Sequence, residues 1–235
     1  MVNQKLAEHN LVAGRDHLFD LLARYKLLVR MRRRKAITTD SRHWMRKYEN
    51  LIMELVLDRP EQLWVSDITY IRITHGFVYL SLITDAYSKK IIGYALRKDL
   101  SVAGCMEALE MALENRTTTW KTLIHHSDRG SQYCCKEYVD LLAQNKIAIS
   151  MTNNGDPYEN AIAERVNGII KNEFNLYGGS GGFEETRLLV SKSIAAYNEL
   201  RPHSSCDYLT PNQAHLKSGK LEKKWKNYKN LTSNP

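Results

Sequence analysis

Three acidic side chains stand out in this 235-residue chain because each lies within a distinctive run of neighbours. Two aspartates on predicted strands and a glutamate on a predicted helix can hold two divalent metal ions against a phosphodiester. A carboxylate set without clustered histidine or cysteine favours hard ions, so we expect Mg²⁺ or Mn²⁺, two per site. The runs are Trp64-Val-Ser-Asp67-Ile-Thr-Tyr70, His125-His-Ser-Asp128-Arg-Gly-Ser-Gln-Tyr133 and Tyr158-Glu-Asn-Ala-Ile-Ala-Glu164.

The charge is distributed unevenly along the chain. The formal net charge is +8, but residues 1–50 hold 12 Lys or Arg against 5 Asp or Glu, and residues 216–235 hold 6 against 1. The intervening residues are therefore slightly acidic. Basic ends around an acidic centre favour a polyanionic partner. We expect the two basic ends to bind DNA and to bring it to the carboxylates. Charged ends that serve only solubility are the alternative, about equally favoured for the C-terminal tail.

A dense basic run follows the first predicted helix, over 15–28. It contains five positive charges within residues 30–35. Contact with the DNA backbone is the favoured interpretation, and a solvated linker is the alternative. The residues that we expect to contact DNA here are Arg32, Arg33, Arg34 and Lys35.

The order of the predicted elements indicates an α/β fold. β-branched and aromatic runs at 63–73, 77–84 and 90–96 predict a three-strand meander, and 123–126 and 147–151 predict two further strands. Apolar residues at helical spacing predict helices over 101–114, 132–144, 158–174 and 187–200. The result is a mixed five-stranded sheet with flanking helices, preceded by a basic helical N-terminal extension.

The predicted helix over 158–174 carries Glu164. At about 100° per residue, Asn160, Asn167 and Lys171 lie within about 60° of Glu164, and the apolar residues lie on the opposite side. We therefore expect a buried apolar face and a polar face turned outward. On that face Lys171 is expected to contact a DNA phosphate, or else to be merely solvated. Asn160 is expected to orient Glu164 or a water, or to cap the helix.

Two residues beside Asp128 are further candidates for contact with the substrate. His126 alternates onto the strand face of Asp128, where it would contact metal-bound water or DNA; a packed, hydrogen-bonded histidine is equally compatible with the sequence. His125 points the other way and is expected to lie against the core. Arg129 begins the turn after Asp128, for which DNA contact and a purely structural role are both open.

Four ordered segments carry a resemblance to a known superfamily. They are 64–70, the strand end and turn over 85–94, 126–133, and Tyr197-Asn-Glu-Leu-Arg-Pro-His203 followed by Thr210-Pro211; thirty-five residues separate Asp128 from Glu164. This pattern resembles the Asp-Asp-Glu transposases and retroviral integrases, and most closely the transposases of copy-out, paste-in bacterial insertion sequences.

The resemblance implies a ribonuclease H-like core in which Asp67 bridges two ions, Asp128 holds one and Glu164 the other. It implies cleavage of the 3′ end at transposon ends with terminal inverted repeats, followed by strand transfer into target DNA by a homo-oligomer. The resemblance also implies that the segment Tyr197–His203 packs near the active site, where Arg201 or His203 would reach a phosphate. Two alternatives stay open: a nuclease that only hydrolyses DNA, and a domesticated DNA-binding protein without catalysis.

The organisation expected from these patterns has three parts. Residues 1–57 form a basic, mainly helical extension, 58–215 the catalytic core and 216–235 a basic tail. The four cysteines lack the spacing of a zinc site or a disulfide framework. Without a signal-peptide pattern or a membrane-length apolar run, we expect no membrane association and a location in the bacterial cytoplasm. Residues 178–182, Gly-Gly-Ser-Gly-Gly, are expected to be a flexible loop or an inserted linker.

Overall fold

A computed structural model describes residues 6–28, 43–153, 157–176 and 181–224. Its elements follow the predicted order, with a short 3₁₀ turn Pro157–Asn160 before the fifth helix. The strands are β1 Leu63–Ile73, β2 Gly76–Asp85, β3 Ile91–Arg97, β4 Leu123–Ser127 and β5 Ile147–Met151. The helices are α1 Arg15–Arg24, α2 Val102–Glu114, α3 Ser131–Cys134, α4 Lys136–Gln144, α5 Ala161–Glu173, α6 Phe183–Leu200 and α7 Pro211–Ala214.

The five strands form one mixed sheet in the order β3-β2-β1-β4-β5. The meander β1-β2-β3 is antiparallel, whereas β4 pairs parallel with β1, and β5 parallel with β4. Parallel neighbours need a crossover, and α2 and α4 provide these connections. The fold class predicted from the sequence is confirmed.

Side-chain alternation along β1 divides the interior into two layers. Even-numbered Trp64 belongs to the cluster beneath α2 and α4, together with Leu109 and Tyr138, which are fully buried. Odd-numbered Ile71 belongs to the cluster beneath α5 and α6, with Ile170 and Tyr197. Burial of these large side chains on both faces stabilises the sheet by roughly 1.5–3 kcal/mol for each residue. The sheet is therefore a stiff support for groups carried on its strands.

The late helix α6 is fixed to the edge strand by two residues of the Tyr197–His203 segment. Asn198 accepts from the backbone N–H of Ile91 at 3.0 Å and donates to its carbonyl at 2.8 Å. The hydroxyl of Tyr197 donates to the carbonyl of Lys89 at 2.8 Å. This part of the segment thus has an architectural role.

The predicted helix boundaries need three corrections. The first helix ends at Arg24, because Lys26 adopts a positive φ of 57° that a continuing helix excludes. The helix predicted over 132–144 is interrupted by Cys135, whose backbone is extended, so it becomes α3 and α4. The late helix begins at Phe183 rather than at Arg187.

The segments flanking the core are more closely attached to it than the sequence indicated. Residues 43–57 contain no helix, and the amide of Leu51 donates to Ser150 Oγ at 2.9 Å. At the other end, the amide of Gly219 donates to the carbonyl of Asp58 at 2.6 Å. Helix in the described part of the N-terminal extension is confined to a short stretch at 6–8 and to α1. The glycine-rich stretch predicted at 178–182 lies mostly outside the described residues.

Among the described helices, none combines the length and apolar character that crossing a membrane requires.

Candidate active site

The two aspartates are brought together by the parallel pairing of β1 and β4. Val65 pairs with His126, and the same register continued two residues along both strands sets Asp67 opposite Asp128. Asp67 lies within β1, whereas Asp128 follows the last residue of β4 and accepts from the backbone N–H of Gly130 at 2.9 Å. Both line one cleft of about 550 Å³.

The glutamate-bearing helix α5 packs on β1 through its polar face. Asn160 Nδ2 donates to the carbonyl of Ser66 at 3.0 Å, and Asn167 Nδ2 donates to Asp67 Oδ2 at 2.7 Å. One turn further, Lys171 Nζ donates to the hydroxyl of Thr69. The polar stripe of α5 is therefore matched to β1, and this match sets Glu164 on the same helix beside the strand of Asp67.

The expectation that this polar face turns outward is wrong for three of its four residues. Asn160, Asn167 and Lys171 are buried, and only Glu164 is exposed. The physical reason is that Asp67 and Thr69 give β1 a polar surface toward α5, so polar helix residues find hydrogen-bond partners there. Asn160 stands at the N-cap position, but its side chain does not cap the helix.

The carboxylates interact electrostatically. Burial, together with the charges of Asp128 and Glu164, raises the pKa of Asp67 to about 7 against the opposing hydrogen bond from Asn167. Burial and Asp128 also raise the pKa of Glu164. The protein therefore does not fully compensate the negative charge of these carboxylates. The same holds in sites where several carboxylates share a cation.

The donor set fits a hard divalent cation. It consists of carboxylate oxygens, and the buried Oδ1 of Asn167, which has no hydrogen-bond partner among the described residues, adds an oxygen acceptor beside Asp67. In the described ranges, no three His, Cys, Asp or Glu side chains are close enough to hold a metal together.

The histidines before Asp128 are both buried. His126 is fully buried with Nδ1 hydrogen-bonded to Ser150 Oγ at 2.8 Å, so of the two sequence interpretations the packed one describes this structure. His125 lies against the core as expected, with Nε2 at 2.7 Å from Ser66 Oγ and 2.8 Å from Tyr138 Oη.

The other residues expected to contact DNA are placed as follows. Arg129 is partly buried, and its carbonyl accepts from His43 Nε2 at 2.8 Å, so its backbone has a structural role. The head group of Lys171 points inward, over the ring of Tyr70 at 5.3 Å. Arg32, Arg33, Arg34 and Lys35 lie outside the described residues.

Aromatic side chains beside the aspartates are a feature that the sequence interpretation missed. Tyr70, Phe77 and Tyr79 line the cleft of Asp67 and Asp128. Tyr70 and Phe77 meet edge to face with ring centroids 5.4 Å apart, and half of the Phe77 surface is exposed. An accessible aromatic ring in a cleft offers a face on which a nucleic-acid base stacks. The signal was the aromatic content at the turn between the first two strands.

Comparison with known proteins identifies relatives for most of the chain. Two sequence profiles of the integrase core domain match residues 58–157 and 145–211. The 31 kDa protein of insertion element IS600 from Shigella sonnei is 34% identical over 209 residues, which cover 88% of this chain and 76% of the relative.

Two relatives are described as transposases. A putative transposase of IS986/IS6110 from Mycobacterium tuberculosis is 32% identical over 65% of this chain, and InsF of IS3A from Escherichia coli is 33% identical over 75% of it. The chain spans only 56% and 62% of these two relatives.

Solved structures share the fold. The catalytic core of the HTLV-2 integrase, in complex with magnesium, superposes with a TM-score of 0.52 at 21% identity, over 68% of this chain and 98% of that one. A chain of the simian T-cell lymphotropic virus intasome gives a TM-score of 0.58 at 18% identity, over 76% of this chain and 61% of that one. The architecture is that of the retroviral integrase core, a ribonuclease H-like fold.

Proposed function

This chain belongs to the integrase core domain family, as do transposases of bacterial insertion sequences, and we propose that it cleaves and joins DNA at the ends of such an element. The observation that carries the proposal is that two acids from neighbouring strands line one cleft, beside the helix that carries a third acid. Asp67 on β1, Asp128 after β4 and Glu164 on α5 interact electrostatically, although they are far apart in the sequence.

Asp67, Asp128 and Glu164 would hold two Mg²⁺ or Mn²⁺ ions. When bound, these ions neutralise charge that grows on the attacking and leaving oxygens of an in-line displacement at phosphorus. Asp67 is supported by the sheet and by Asn167, so it serves as the fixed ligand. Asp128 and Glu164 complete the site from the loop after β4 and from α5.

The reaction has two displacements at the same site. In the first, water attacks a phosphodiester at the element end, the bond from phosphorus to the 3′ oxygen breaks, and a 3′-hydroxyl is left. In the second, that hydroxyl attacks a phosphodiester of target DNA, forming a new bond to phosphorus and releasing a 3′-hydroxyl of the target strand. The number of phosphodiester bonds is conserved in the joining step, so it needs no external energy source.

The partners that we propose are DNA ends with terminal inverted repeats and target DNA, engaged by more than one copy of the chain in the bacterial cytoplasm. The basic residues 30–35 would supply contacts to the DNA backbone. Tyr70, Phe77 and Tyr79 would stack against bases exposed near the scissile bond.

A strand-transfer assay tests this function. Purified protein would be incubated with labelled duplex element ends, plasmid target and Mg²⁺, and products resolved by size. Joined molecules that disappear with chelator or with Asp128→Asn are the expected result. A nuclease that only hydrolyses would give shortened ends without joined products, and a domesticated binding protein would shift the duplex without cutting it. Either result would overturn the proposal.

A further inference from the structure

A second cleft, with a volume of about 780 Å³, lies beside α5 and is strongly cationic. Within the part of the chain that the structure describes, no acidic residue lines it, and apolar residues of α5 contribute to its lining. Four basic side chains and one histidine line it, and they come from the turn before β3, from α5 and from the segments after α6. These residues are Lys89, Arg165, Arg201, His203 and Lys223.

The positive charge of this cleft is only partly compensated by the protein. Arg201 forms a bidentate pair with Glu173, with N–O distances of 2.6 and 2.7 Å. Arg165, by contrast, is exposed and pairs with no carboxylate among the described residues. The half-buried ammonium of Lys89 donates to the carbonyl of Ala86, and the charge of Asp85 compensates it in part. A partly desolvated cation with incomplete compensation is costly, and an anion in the cleft would offset that cost.

The positive charges of this cleft shift the pKa values of two groups that line it. Burial lowers the pKa of His203 to about 3, and Arg201, Lys89 and Arg165 lower it as well. Burial lowers the pKa of Lys89; Cys206 and Asp85 raise it, and the charge of Lys223 lowers it. Since the charges that lower these pKa values come from four cations on different parts of the chain, the tertiary structure concentrates like charges here rather than dispersing them.

We propose that this cleft binds a phosphate group of the DNA backbone, held by Arg165 and Lys223 above the buried charge of Lys89. Guanidinium groups bind phosphate oxygens in a bidentate manner, and the hydroxyls of Ser204 and Ser205 line the same cleft and can donate to such oxygens. The choice of DNA rests on the proposed function, whereas the phosphate chemistry does not.

The position of Arg165 supports a DNA phosphate rather than a free one. Arg165 directly follows Glu164 in α5, so the two Cα atoms are about 3.8 Å apart, and both side chains are exposed. Each DNA strand presents a phosphate about every 3.4 Å along the duplex axis. Duplex DNA that reaches Glu164 therefore brings further phosphates past Arg165.

The phosphate chemistry is tested without DNA. Thermal unfolding would be measured in inorganic phosphate and in chloride at matched ionic strength. Wild type should gain several degrees in phosphate, and Arg165→Gln together with Lys223→Gln should remove most of this gain. The matched control is Arg187→Gln together with Lys192→Gln, which removes the same two charges from exposed sites on α6, where Arg187 pairs with Glu184. Equal gains in all three proteins would overturn the site.

The DNA assignment is tested by binding. Duplex affinity would be measured by fluorescence anisotropy at several salt concentrations, without divalent metal so that no cleavage occurs. Arg165→Gln should reduce the log–log salt slope by up to about 0.9, the value for one phosphate neutralised by the protein, and Arg187→Gln should not. A phosphate-dependent thermal gain with an unchanged salt slope would show that the cleft takes free phosphate and would overturn the DNA assignment.

These measurements test the phosphate site in the cleft independently of the proposed function. If Arg165→Gln reduces the salt slope but the wild-type protein joins no ends, the proposed transposase activity is wrong and the proposed phosphate site is supported. If the wild-type protein joins ends and Arg165→Gln binds DNA as the wild type does, the proposed phosphate site is wrong and the proposed activity is supported.

Discussion

Asn167 donates from Nδ2 to Oδ2 of Asp67 at 2.7 Å, linking α5 to β1 across a separation of 100 residues in sequence. This hydrogen bond favours the ionised form of a carboxylate whose pKa burial and neighbouring acids raise to about 7. The amide therefore acts on the charge state of the central ligand as well as on its orientation.

Replacing Asn167 with leucine should weaken metal binding by about 10- to 100-fold, the usual effect of removing a group that orients a ligand. Without the hydrogen bond the pKa of Asp67 rises further, so less carboxylate is ionised at pH 7. The deficit should therefore shrink as the pH is raised. Calorimetric titration with Mn²⁺ at pH 7 and 8.5 measures this, with Asn172→Leu on the same helix as the control. An affinity equal to that of the control would contradict the role assigned to Asn167.

Asp128→Asn should preserve DNA binding and abolish chemistry. The substitution keeps the shape of the side chain while removing a charge that the metals require, so cleavage and joining should both fall more than about 100-fold, beyond the decrease expected for an orienting residue. Anisotropy on duplex ends and the strand-transfer assay measure the two properties separately. Near-normal joining by this variant would exclude Asp128 as a ligand.

Acid should destabilise the protein through its buried histidines. Burial lowers the pKa of His125 to about 3 from an ordinary 6.5, so the folded state binds fewer protons than the unfolded state between these values. Its contribution to stability is complete above pH 6.5 and declines as the pH falls toward 3. For one histidine the decline approaches about 1.4 kcal/mol per pH unit.

Urea denaturation at pH 7.5, 6 and 5 measures this dependence. His125→Gln should be less stable than wild type at pH 7.5 but should show a flatter decline with acid. A parallel decline in both proteins would show that the acid sensitivity arises elsewhere.

Two glycines should respond oppositely to alanine. A Cβ at Gly93 would lie 2.0 Å from the carbonyl oxygen of Ala108, so Gly93→Ala must separate β3 from α2 and should destabilise the fold by at least about 1–3 kcal/mol. A Cβ at Gly168, in the middle of α5, meets only Asn172 Nδ2 at 4.0 Å. Gly168→Ala should therefore stabilise by about 0.5–1 kcal/mol. Chemical denaturation of both variants checks the pair, and equal effects would contradict the packing described.

The triple replacement of Arg32, Arg33 and Arg34 by alanine should weaken DNA binding at low salt. For every duplex phosphate that these arginines neutralise, the log–log salt dependence should flatten by up to about 0.9. Thermal unfolding should be unchanged if the arm contacts DNA rather than the core. An unchanged salt slope would support the interpretation of residues 30–35 as a solvated linker.

The sheet and the two aspartates were predictable because strand alternation and flanking residues act locally. Asp67 and Asp128 each lie in a run whose β-branched and aromatic neighbours define the strand, and parallel pairing then brings them together. Helical periodicity likewise identified the residues that share a face with Glu164. It did not identify which face the sheet covers, because that depends on Asp67 and Thr69, about a hundred residues earlier.

The cationic cleft was beyond prediction for a similar reason. Lys89, Arg165 and Lys223 are distant in sequence, and no periodicity relates them. Their proximity depends on how α6 is attached to β3, through the hydrogen bonds of Tyr197 and Asn198. The sequence did mark Arg201 and His203 as candidates for phosphate contact, yet Glu173 neutralises Arg201 and burial keeps His203 uncharged at neutral pH.

The attachment of α5 to β1 has a mechanical consequence. Asn160, Asn167 and Lys171 fasten the helix near its start, its middle and its end to the central strand, so the helix moves with the sheet as one body. Glu164 and Arg165 therefore cannot shift independently of each other. Under the proposed function, a duplex bound at Arg165 would lie at a fixed distance from Glu164, and the spacing of these two residues on one helix would determine the point of cleavage along the strand.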